Sequence, residues 1–325
     1  MSASPAGRPA GGAASAEALC ACGNLFAGVS PSGPPAPSAR LEACGLCGTR
    51  VLLPVPSEES LHAFYGDDYY GTGPSKFVGP VERCRDLLHA SRARRVHRLG
   101  GGRRLRVLDI GCGSGRFLAA MADRGHACEG TELTAHSGRR AASIPGVRVH
   151  VGPLAEASFP EGAFDMITLW HVLEHLRDPA ASLRRCRRWL ARDGWLVAAV
   201  PNTASWQARL FRAHWFHLDT PRHLFHFTPA SLATALQQAG FTAPRVRHLS
   251  WEHNPYGVLQ SALNALGFRR DALFDTLKGS GGPGLGPLAA AAAAVLAPPA
   301  VAFALGEALF GRGGTIEAVA RTAPA

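Results

Sequence analysis

The sequence predicts an open, doubly wound α/β sheet. From residue 105 onward, short apolar segments alternate with segments of helical periodicity, a pattern typical of sheets that carry helices on both faces. A glycine-rich turn, GCGSG at residues 111–115, joins the first of these strands to the first helix. The protein has 325 residues, which is enough chain for one large domain or two modest ones.

The first residues predict no secretory signal and no folded structure. Residues 1–19 are mainly Ser, Ala, Gly and Pro and contain no apolar core, so we expect this stretch to be disordered. The eight cysteines are not spaced like a disulfide framework. We therefore expect a cytoplasmic protein, with membrane association left open.

Two close cysteine pairs give residues 20–55 the outline of a zinc ribbon. Cys20 and Cys22 form the first pair, and Cys44 and Cys47 lie in the knuckle CGLCG. Four thiolates on two tight turns can surround a tetrahedral zinc ion. The first pair is CxC, which strains chelation, so a ribbon that folds without metal is the alternative.

Residues 56–104 are expected to form a helical cap. The segment FYGDDYYGTG at 64–73 precedes a basic helix near 81–99. Tyr70 is a candidate lid residue over a bound ligand, and plain packing is the alternative role.

The remaining elements follow in alternation. Strands are predicted at 105–110, 126–131, 147–151, 164–170, 195–200 and 241–249, and helices at 117–124, 177–190 and 229–239. Thr228 is expected to cap the last helix, because a threonine followed by proline suits a helix start.

The glycine turn and two carboxylates indicate the ligand. The sixth position from Gly111 is Arg116, where a dinucleotide-binding loop requires glycine. Glu132 ends the second strand and suits ribose hydroxyls, while Asp109 precedes the turn and suits an ammonium group. The pattern indicates an adenosine ligand with a zwitterionic amino-acid tail.

Four motifs together resemble the class I S-adenosylmethionine-dependent methyltransferases. They are VLDIGCGSGRF, GTEL, FDMITLWHVLEHLRDP and the strand end AVPN, in that order over about residues 105–245. The resemblance implies a Rossmann-like sheet of seven strands with an antiparallel last strand, and S-adenosylmethionine as cofactor. We place this core at 105–251, a helical apolar insert at 252–311, and the final strand and tail at 312–325.

The resemblance also implies which residues line the cofactor. They are Asp109, Gly111, Cys112, Gly113, Gly115, Glu132, Leu133, Leu154 and Trp170. Pro153 stands where the family often has an acidic residue, so contact with the adenine amino group is expected from backbone or from Glu156. The cysteine pairs and the Tyr-rich segment resemble a subgroup that includes sugar and natural-product C-methyltransferases.

Four histidines are candidate catalytic residues. His171 and His175 follow the fourth strand, and a helix-start contact is the alternative role for His175. His223 and His226 lie in HLDTPRHLFHFTP at 217–229, and we expect one of them to face the acceptor. A metal centre in that stretch is disfavoured, because the histidine spacing suits a loop and the expected chemistry needs no ion.

An uncharged segment, residues 285–305, is long enough to span a bilayer. Pro298 and Pro299 interrupt it, and a strand of the same sheet is expected to follow, so a single crossing is disfavoured. We expect a helical hairpin broken at the prolines, or a surface-bound or re-entrant element in peripheral contact with a membrane. Membrane contact would favour a lipid or quinone-like substrate.

These features predict methyl transfer to an oxygen or carbon of a small molecule, such as a sugar, a quinone or lipid-like compound or another secondary metabolite. The alternative is a nucleic-acid or protein-binding module that carries a methyltransferase-like domain. The net charge is +10, but its arginine runs are scattered, which disfavours nucleic acid as a partner. The sequence predicts no oligomeric state.

Overall fold

The computed structural model describes residues 18–23, 25–26, 40–57, 60–61, 79–278 and 285–323. The strands of this part of the chain are β1 (Ala18–Leu19), β2 (Leu25–Phe26), β3 (Arg40–Ala43), β4 (Arg50–Leu53), β5 (Arg106–Ile110), β6 (Ala127–Glu132), β7 (Val147–Val151), β8 (Phe164–Trp170), β9 (Leu190–Pro201), β10 (Phe225–His226), β11 (Arg245–Arg247) and β12 (Thr315–Arg321). The α-helices are α1 (Gly79–Leu99), α2 (Arg116–Ala122), α3 (Ala135–Ala142), α4 (Pro179–Trp189), α5 (Trp206–Phe211), α6 (Pro229–Gln238), α7 (Asn254–Ala265), α8 (Ala272–Lys278) and α9 (Pro287–Leu309).

Seven strands form the central sheet in the order β11–β12–β9–β8–β5–β6–β7. The five strands β5 to β9 run parallel, whereas β12 is antiparallel to both of its neighbours. This confirms the predicted doubly wound sheet with an antiparallel last strand. The order reverses between β5 and β8, and a ligand cleft is expected at that point, beside the carboxyl ends of the strands.

Both faces of the sheet are buried, as a parallel sheet requires. Val107 and Leu108 are adjacent on β5, and their side chains point to opposite faces. Val107 belongs to a core cluster with Phe117 and Ala93 from α2 and α1. Leu108 belongs to a second cluster that includes Leu183 of α4 and extends into the amino-terminal strands.

The amino-terminal segment is joined to the sheet domain through a second, three-stranded sheet. β3 and β4 form a hairpin, and β4 pairs antiparallel with β10. The backbone N–H of Leu52 also donates to the Leu224 carbonyl at 2.9 Å. The cysteine-bearing segment is therefore attached to the loop that follows β9.

Helix α1 covers the carboxyl end of the sheet, and ion pairs hold it there. Arg116 of α2 pairs with Glu82 and Asp86 of α1, and Arg95 pairs with Glu317 of β12. This helix corresponds to the basic helix predicted near 81–99. The predicted lid residue Tyr70 and nearly all of the predicted disordered stretch 1–19 lie outside the described residues.

The apolar segment is one continuous helix, so the predicted hairpin break at the prolines is wrong. Helix α9 runs through Pro298 and Pro299 without reversing. A proline ring fixes φ near the helical value and costs only the missing N–H bond and local crowding. Packing offsets that cost, because Ala300 and Ala304 are buried against Val258 of α7.

A buried polar cluster anchors the end of α9. The Glu307 carboxylate accepts hydrogen bonds from the Gln207 side-chain amide at 2.5 Å and from the Gly314 backbone N–H at 2.8 Å. Burial raises the pKa of Glu307 to about 7, although these hydrogen bonds oppose the shift. The cluster joins α9 to α5 and to the start of β12.

Gly313, between α9 and β12, tests this packing. A Cβ atom on Gly313 would lie 1.8 Å from the His248 carbonyl oxygen, so Gly313→Ala should destabilise the fold by about 1–3 kcal/mol. Gly306 in α9 has no atom within 4 Å of its added Cβ, so Gly306→Ala should stabilise by roughly 0.5–1 kcal/mol. Thermal unfolding of both variants compares them, and equal effects would contradict this packing.

Candidate cofactor and acceptor site

A cavity of about 360 Å³ opens at the carboxyl ends of the parallel strands, beside the reversal between β5 and β8. Its walls come from the glycine loop after β5, the ends of β6 and β8, helix α1 and residues 252–253. No other part of a sheet of this class offers strand ends from both halves, so this is where a bound ligand meets loops from both sides.

The glycine loop fits closely around the cavity floor. Gly111, Gly113 and Gly115 all have positive φ, at 65°, 56° and 77°. Added Cβ atoms would meet Val172 at 2.6 Å from Gly111, and Ile144 at 2.6 Å from Gly115. At Gly113 the added Cβ would meet nothing within 4 Å. Gly113 lines the cavity, so its backbone is open to a ligand at close range.

Glu132 ties the loop to the end of β6. Its carboxylate accepts from the Gly113 backbone N–H at 2.8 Å, from the Thr134 backbone N–H at 3.2 Å and from the Thr134 hydroxyl at 3.3 Å. The side chain is buried and lines the cavity. A carboxylate held in this way can accept further hydrogen bonds from a pair of ribose hydroxyls.

Asp109 supplies a second buried carboxylate. Its Oδ1 accepts from the Thr168 hydroxyl of β8 at 2.6 Å. Burial raises the pKa of this carboxyl to about 7, because little solvent is left to stabilise the charge. A ligand ammonium group in the cavity would favour the charged form and lower that pKa, so the residue fits the amino-acid tail of S-adenosylmethionine.

The cavity gathers most, but not all, of the predicted cofactor residues. Those in its wall are Asp109, Gly111, Cys112, Gly113, Glu132, Leu133 and Trp170. Gly115 turns the loop from behind. Leu154 is half-buried against the core and Glu156 is exposed, and the cavity wall includes neither of them, so their expected adenine contacts stay predictions. Ser137 and Arg140 of α3 stand on that side instead.

Helix α1 and residues 252–253 contribute cavity residues that the sequence reasoning missed. These include Arg85, His89 and Arg92 of α1. The arginine-rich run at residues 92–98 was the only sequence feature that could have indicated their role in the cavity. Arg92 pairs with Glu252 at 2.7 Å and stacks over Trp170 at 4.9 Å. Burial lowers the pKa of His89 to about 4, so this wall presents a neutral imidazole between cationic groups.

His171 has an unusual backbone conformation at the end of β8. Its φ is +56°, which a non-glycine residue adopts only when the surrounding structure holds it there. The backbone N–H donates to the Ala199 carbonyl at 2.9 Å. The residue lines the cavity, and its Nε2 is buried with no hydrogen-bond partner among the described residues.

Glu174 faces the other nitrogen of His171. It lies in the helical turn Leu173–His175, and one carboxylate oxygen is 3.3 Å from His171 Nδ1. Burial by itself raises the pKa of Glu174, but the His171 and His175 imidazoles outweigh it and hold the pKa below its usual value. The contact is a close approach of charge to imidazole, since neither carboxylate oxygen of Glu174 has a hydrogen-bond partner among the described residues.

His223 and His226 do not face the cavity, which corrects the expectation that one of them points at the acceptor. His223 Nδ1 bonds to the His217 carbonyl at 2.9 Å, and His226 Nε2 bonds to the His223 carbonyl at 3.1 Å. Burial lowers the pKa of both, that of His226 to about 4. The pairing of β10 with β4 turns this stretch inward, an effect that sequence spacing does not reveal.

His175 lines the cavity and also belongs to a group that can hold a metal ion. Glu174, His175 and His223 offer one ligand atom each, and these atoms lie within 4.8 Å of one another. Nδ1 of His175 bonds to the Arg222 carbonyl at 3.0 Å, so its Nε2 is the ligand atom. Backbone carbonyls orient metal-binding histidines in this way. The sequence analysis disfavoured a metal centre in residues 217–229, the stretch that contains His223.

The four cysteines form a separate candidate metal centre. Their sulfur atoms all lie within 4.8 Å of one another. Sγ of Cys20 is 3.5 Å from that of Cys47, and Sγ of Cys22 is 3.7 Å from that of Cys44. Tetrahedral zinc with bonds of about 2.3 Å places its sulfurs roughly 3.8 Å apart. The described thiols form no disulfide, so the arrangement fits a structural zinc ion.

The chain resembles known proteins over its middle part, which carries most of the central sheet. Residues 84–245 match a family model described as a methyltransferase domain. A ubiquinone biosynthesis O-methyltransferase of Paracidovorax citrulli is 31% identical over 165 residues, which are 46% of this chain and 68% of that protein. One from Bordetella avium is 32% identical over 168 residues, 48% of this chain and 69% of that protein.

A solved structure shows the same fold over a larger share of the chain. It is that of a candidate sarcosine dimethylglycine methyltransferase from Galdieria sulphuraria, with a TM-score of 0.50. The two are 14% identical, and the match covers 81% of this chain and 98% of the other. The four cysteines of the candidate metal centre and helix α9 lie outside residues 84–245, the part that the family model covers.

The role of Glu132 in ligand binding is testable by calorimetry. Glu132→Ala should weaken S-adenosylhomocysteine binding by roughly 100-fold or more, since two charge-assisted hydrogen bonds to a ribose are lost at about 1.5 kcal/mol or more each. Glu129→Ala is the matched control, because Glu129 is on the same strand and pairs outward with Arg148. Equal affinities for the two variants would contradict the role of Glu132.

Proposed function

We propose that this chain, which belongs to the class I S-adenosylmethionine-dependent methyltransferases and methylates a small molecule, transfers the methyl group to a hydroxyl oxygen of a quinone-type aromatic acceptor. The observation that carries the proposal is the His171–Glu174 pair, because His171 lines the cavity beside the glycine loop and its buried Nε2 has no partner among the described residues. Such a pair is suited to removing a proton from an acceptor hydroxyl.

The residues fit the cofactor. Asp109 would hold the ammonium group, Glu132 the ribose hydroxyls, and the Gly113 backbone the adjoining tail, as their burial and open approach suggest. When bound, S-adenosylmethionine supplies an electron-poor methyl carbon. The protein must then hold an acceptor lone pair in line with that carbon and make it available.

His171 would make that lone pair available. Its Nε2 accepts the hydroxyl proton while Glu174, fixed behind Nδ1, stabilises the imidazolium that forms. The His253 ring, whose centroid is 3.9 Å from that of His171, limits the freedom of the imidazole to turn away. Burial holds its pKa well below the usual value, so His253 stays neutral and does not repel the imidazolium as a second cation would.

The surroundings of His171 favour an aromatic acceptor. Trp170, Val172 and Leu176 line the same part of the cavity and offer flat or apolar contact to a ring. The two relatives named above are ubiquinone biosynthesis O-methyltransferases, which supports a quinone-type compound over a sugar. Arg85 and Arg92 also line the cavity, and both are paired with Glu252.

A metal ion at Glu174, His175 and His223 is a second candidate for activating the acceptor, through His175, which is the member of that group that lines the cavity. The oriented histidine nitrogens favour it, because a divalent cation lowers the pKa of a bound hydroxyl. The two schemes differ in what they need. Activity after dialysis against EDTA, with metal content measured, supports the imidazole base, whereas loss that zinc or magnesium restores supports the ion.

We also propose that the four cysteines hold one structural zinc ion. The hairpin that carries two of them pairs through β4 with β10, so the ion would stabilise the loop behind the catalytic residues. Cytoplasmic location and contact of helix α9 with a membrane likewise stand as proposals for this chain.

The His171 proposal predicts a defect in turnover that depends on pH. His171→Asn should lower kcat by about 10²- to 10⁴-fold, with S-adenosylhomocysteine affinity unchanged within a few-fold, and asparagine tolerates the positive φ. The variant's rate should rise with pH as the acceptor hydroxyl ionises in solution, until it approaches that of the wild type. Methyl transfer to alkylated dihydroxybenzenes measures this.

His214→Asn serves as the control for His171→Asn, because His214 is exposed and outside the cavity. A purely structural role for His171 would reduce the rate equally at all pH values and weaken cofactor binding. That outcome would remove the proposed base.

The zinc proposal predicts one zinc ion per purified chain by elemental analysis. The double variant Cys44→Ser, Cys47→Ser should lose the zinc and unfold at a lower temperature. The control variant Cys84→Ser should keep its zinc and the unfolding temperature of the wild type, because Cys84 is exposed on α1. Zinc-free wild-type protein with full thermal stability, and no uptake of added zinc, would contradict the proposal.

A further inference from the structure

Helix α9 presents an apolar face to the outside of the protein. The 18-residue window that is most apolar has a mean hydropathy of 2.1, and only 22% of it is buried. By length and composition this helix could span a membrane. The exposed residues recur at helical spacing and include no polar side chain; the largest are Leu288, Val295, Val301 and Leu309.

Such a face requires a cover, because soluble proteins rarely expose a continuous apolar strip of this length. Leu288 and Val295 are 75% and 73% exposed, and Leu309 is 85% exposed. The opposite side of α9 is already packed, through Ala300 and Ala304 against Val258 of α7. The cover for the outer face must therefore come from outside the described chain.

The ends of α9 are both attached to the protein, so the helix lies along its surface. At the start, the Leu285 backbone N–H donates to the Thr276 hydroxyl of α8 at 2.8 Å. At the other end, Glu307 is bonded to Gln207, and β12 enters the central sheet a few residues later. Both ends thus belong to one folded body, which a helix that crosses a bilayer would separate.

The prolines suit a helix at the boundary between lipid and water. Pro298 and Pro299 have no N–H, so the carbonyls of Ala294 and Val295 lack their usual helical partners. These carbonyls lie on the exposed side of α9. In hydrocarbon each unsatisfied group would cost several kcal/mol, whereas water and headgroups at the interface can donate to them.

A basic rim borders the apolar face at its carboxyl end. Arg209 and Arg212 lie in and after α5, and Arg312 follows α9. All three are exposed, and none forms a salt bridge with a described residue. Trp206 of α5 packs on Phe310 with ring centroids 5.3 Å apart, which brings the arginines and the apolar helix into one surface. Leu210 and Phe310 extend the apolar area between them.

We propose that this surface, formed by α9, Leu210, Phe310 and the three arginines, docks onto an anionic phospholipid membrane, with α9 lying in the interface. An apolar helix face bordered by basic residues is the composition that binds such membranes. A second copy of the chain is disfavoured as the occupant, since it would bring three more unpaired arginines to the same surface. The proposal stands without the proposed quinone-type acceptor.

Flotation of the full chain with vesicles tests the proposal. The protein should float with vesicles of phosphatidylcholine and phosphatidylglycerol, bind vesicles of phosphatidylcholine alone much more weakly, and lose affinity as salt is raised. Arg209→Glu, Arg212→Glu and Arg312→Glu together should weaken binding to the anionic vesicles roughly a hundredfold or more, because each basic residue near the surface contributes about fivefold. The matched control replaces three other arginines by glutamate, which gives the same net charge and should leave most of the binding. They are Arg104, Arg188 and Arg192, which are exposed elsewhere on the sheet domain.

The apolar contribution is tested in the same way. Leu288→Glu with Val295→Glu should abolish flotation, while Leu87→Glu, which alters an exposed leucine on α1, should retain it. Both altered side chains on α9 are already exposed, so circular dichroism should be unchanged. Failure of the wild-type protein to float with anionic vesicles would overturn the proposal. So would a dimer by analytical ultracentrifugation that the α9 variant dissociates. Methyl transfer in detergent-free buffer reports on the proposed function separately.

Discussion

The buried carboxylate of Glu174 constrains the whole acceptor side of the cavity. An ionised group without solvent is stable only when opposite charge or hydrogen-bond donors surround it. His171 and His175 flank this carboxylate, and the backbone carbonyl of the same residue accepts from the Leu224 N–H at 2.9 Å. In the proposed mechanism the contact with His171 sets the tautomer of that histidine, and the backbone bond holds the loop after β9 against the helical turn. Removing the carboxylate would release the imidazole and leave the backbone bond in place.

A second constraint joins this acceptor side to the cofactor side. The Thr168 hydroxyl of β8 donates to Asp109 of β5, so the two strands on either side of the reversal share one buried hydrogen bond two residues before β8 ends. His171 follows that strand directly, and its position relative to the glycine loop is therefore set by the sheet itself. Segments outside the sheet complete the cavity wall. Helix α1 contributes through the ion pair of its Arg92 with Glu252.

Sequence reasoning succeeded where the structure depends on local pattern. The glycine turn, Glu132 and the alternation of strands and helices in the core follow from short segments whose conformation neighbouring residues determine. It failed where distant segments meet. His223 and His226 turn inward because β10 pairs with β4, about 170 residues earlier in the chain, and Arg85 and His89 reach the cavity because α1 folds over the sheet. The prolines of α9 were expected to break the helix, but packing of Ala300 and Ala304 against α7 outweighs local propensity.

The central claim is that Glu174 keeps His171 in one neutral tautomer, with Nε2 free to accept a proton. Two-bond ¹H–¹⁵N correlation spectra of histidine-labelled protein, saturated with S-adenosylhomocysteine and assigned by comparison with His171→Asn, measure that tautomer directly. The account predicts a proton on Nδ1 and an unprotonated Nε2 near neutral pH. A proton on Nε2, with Nδ1 bare, would contradict it.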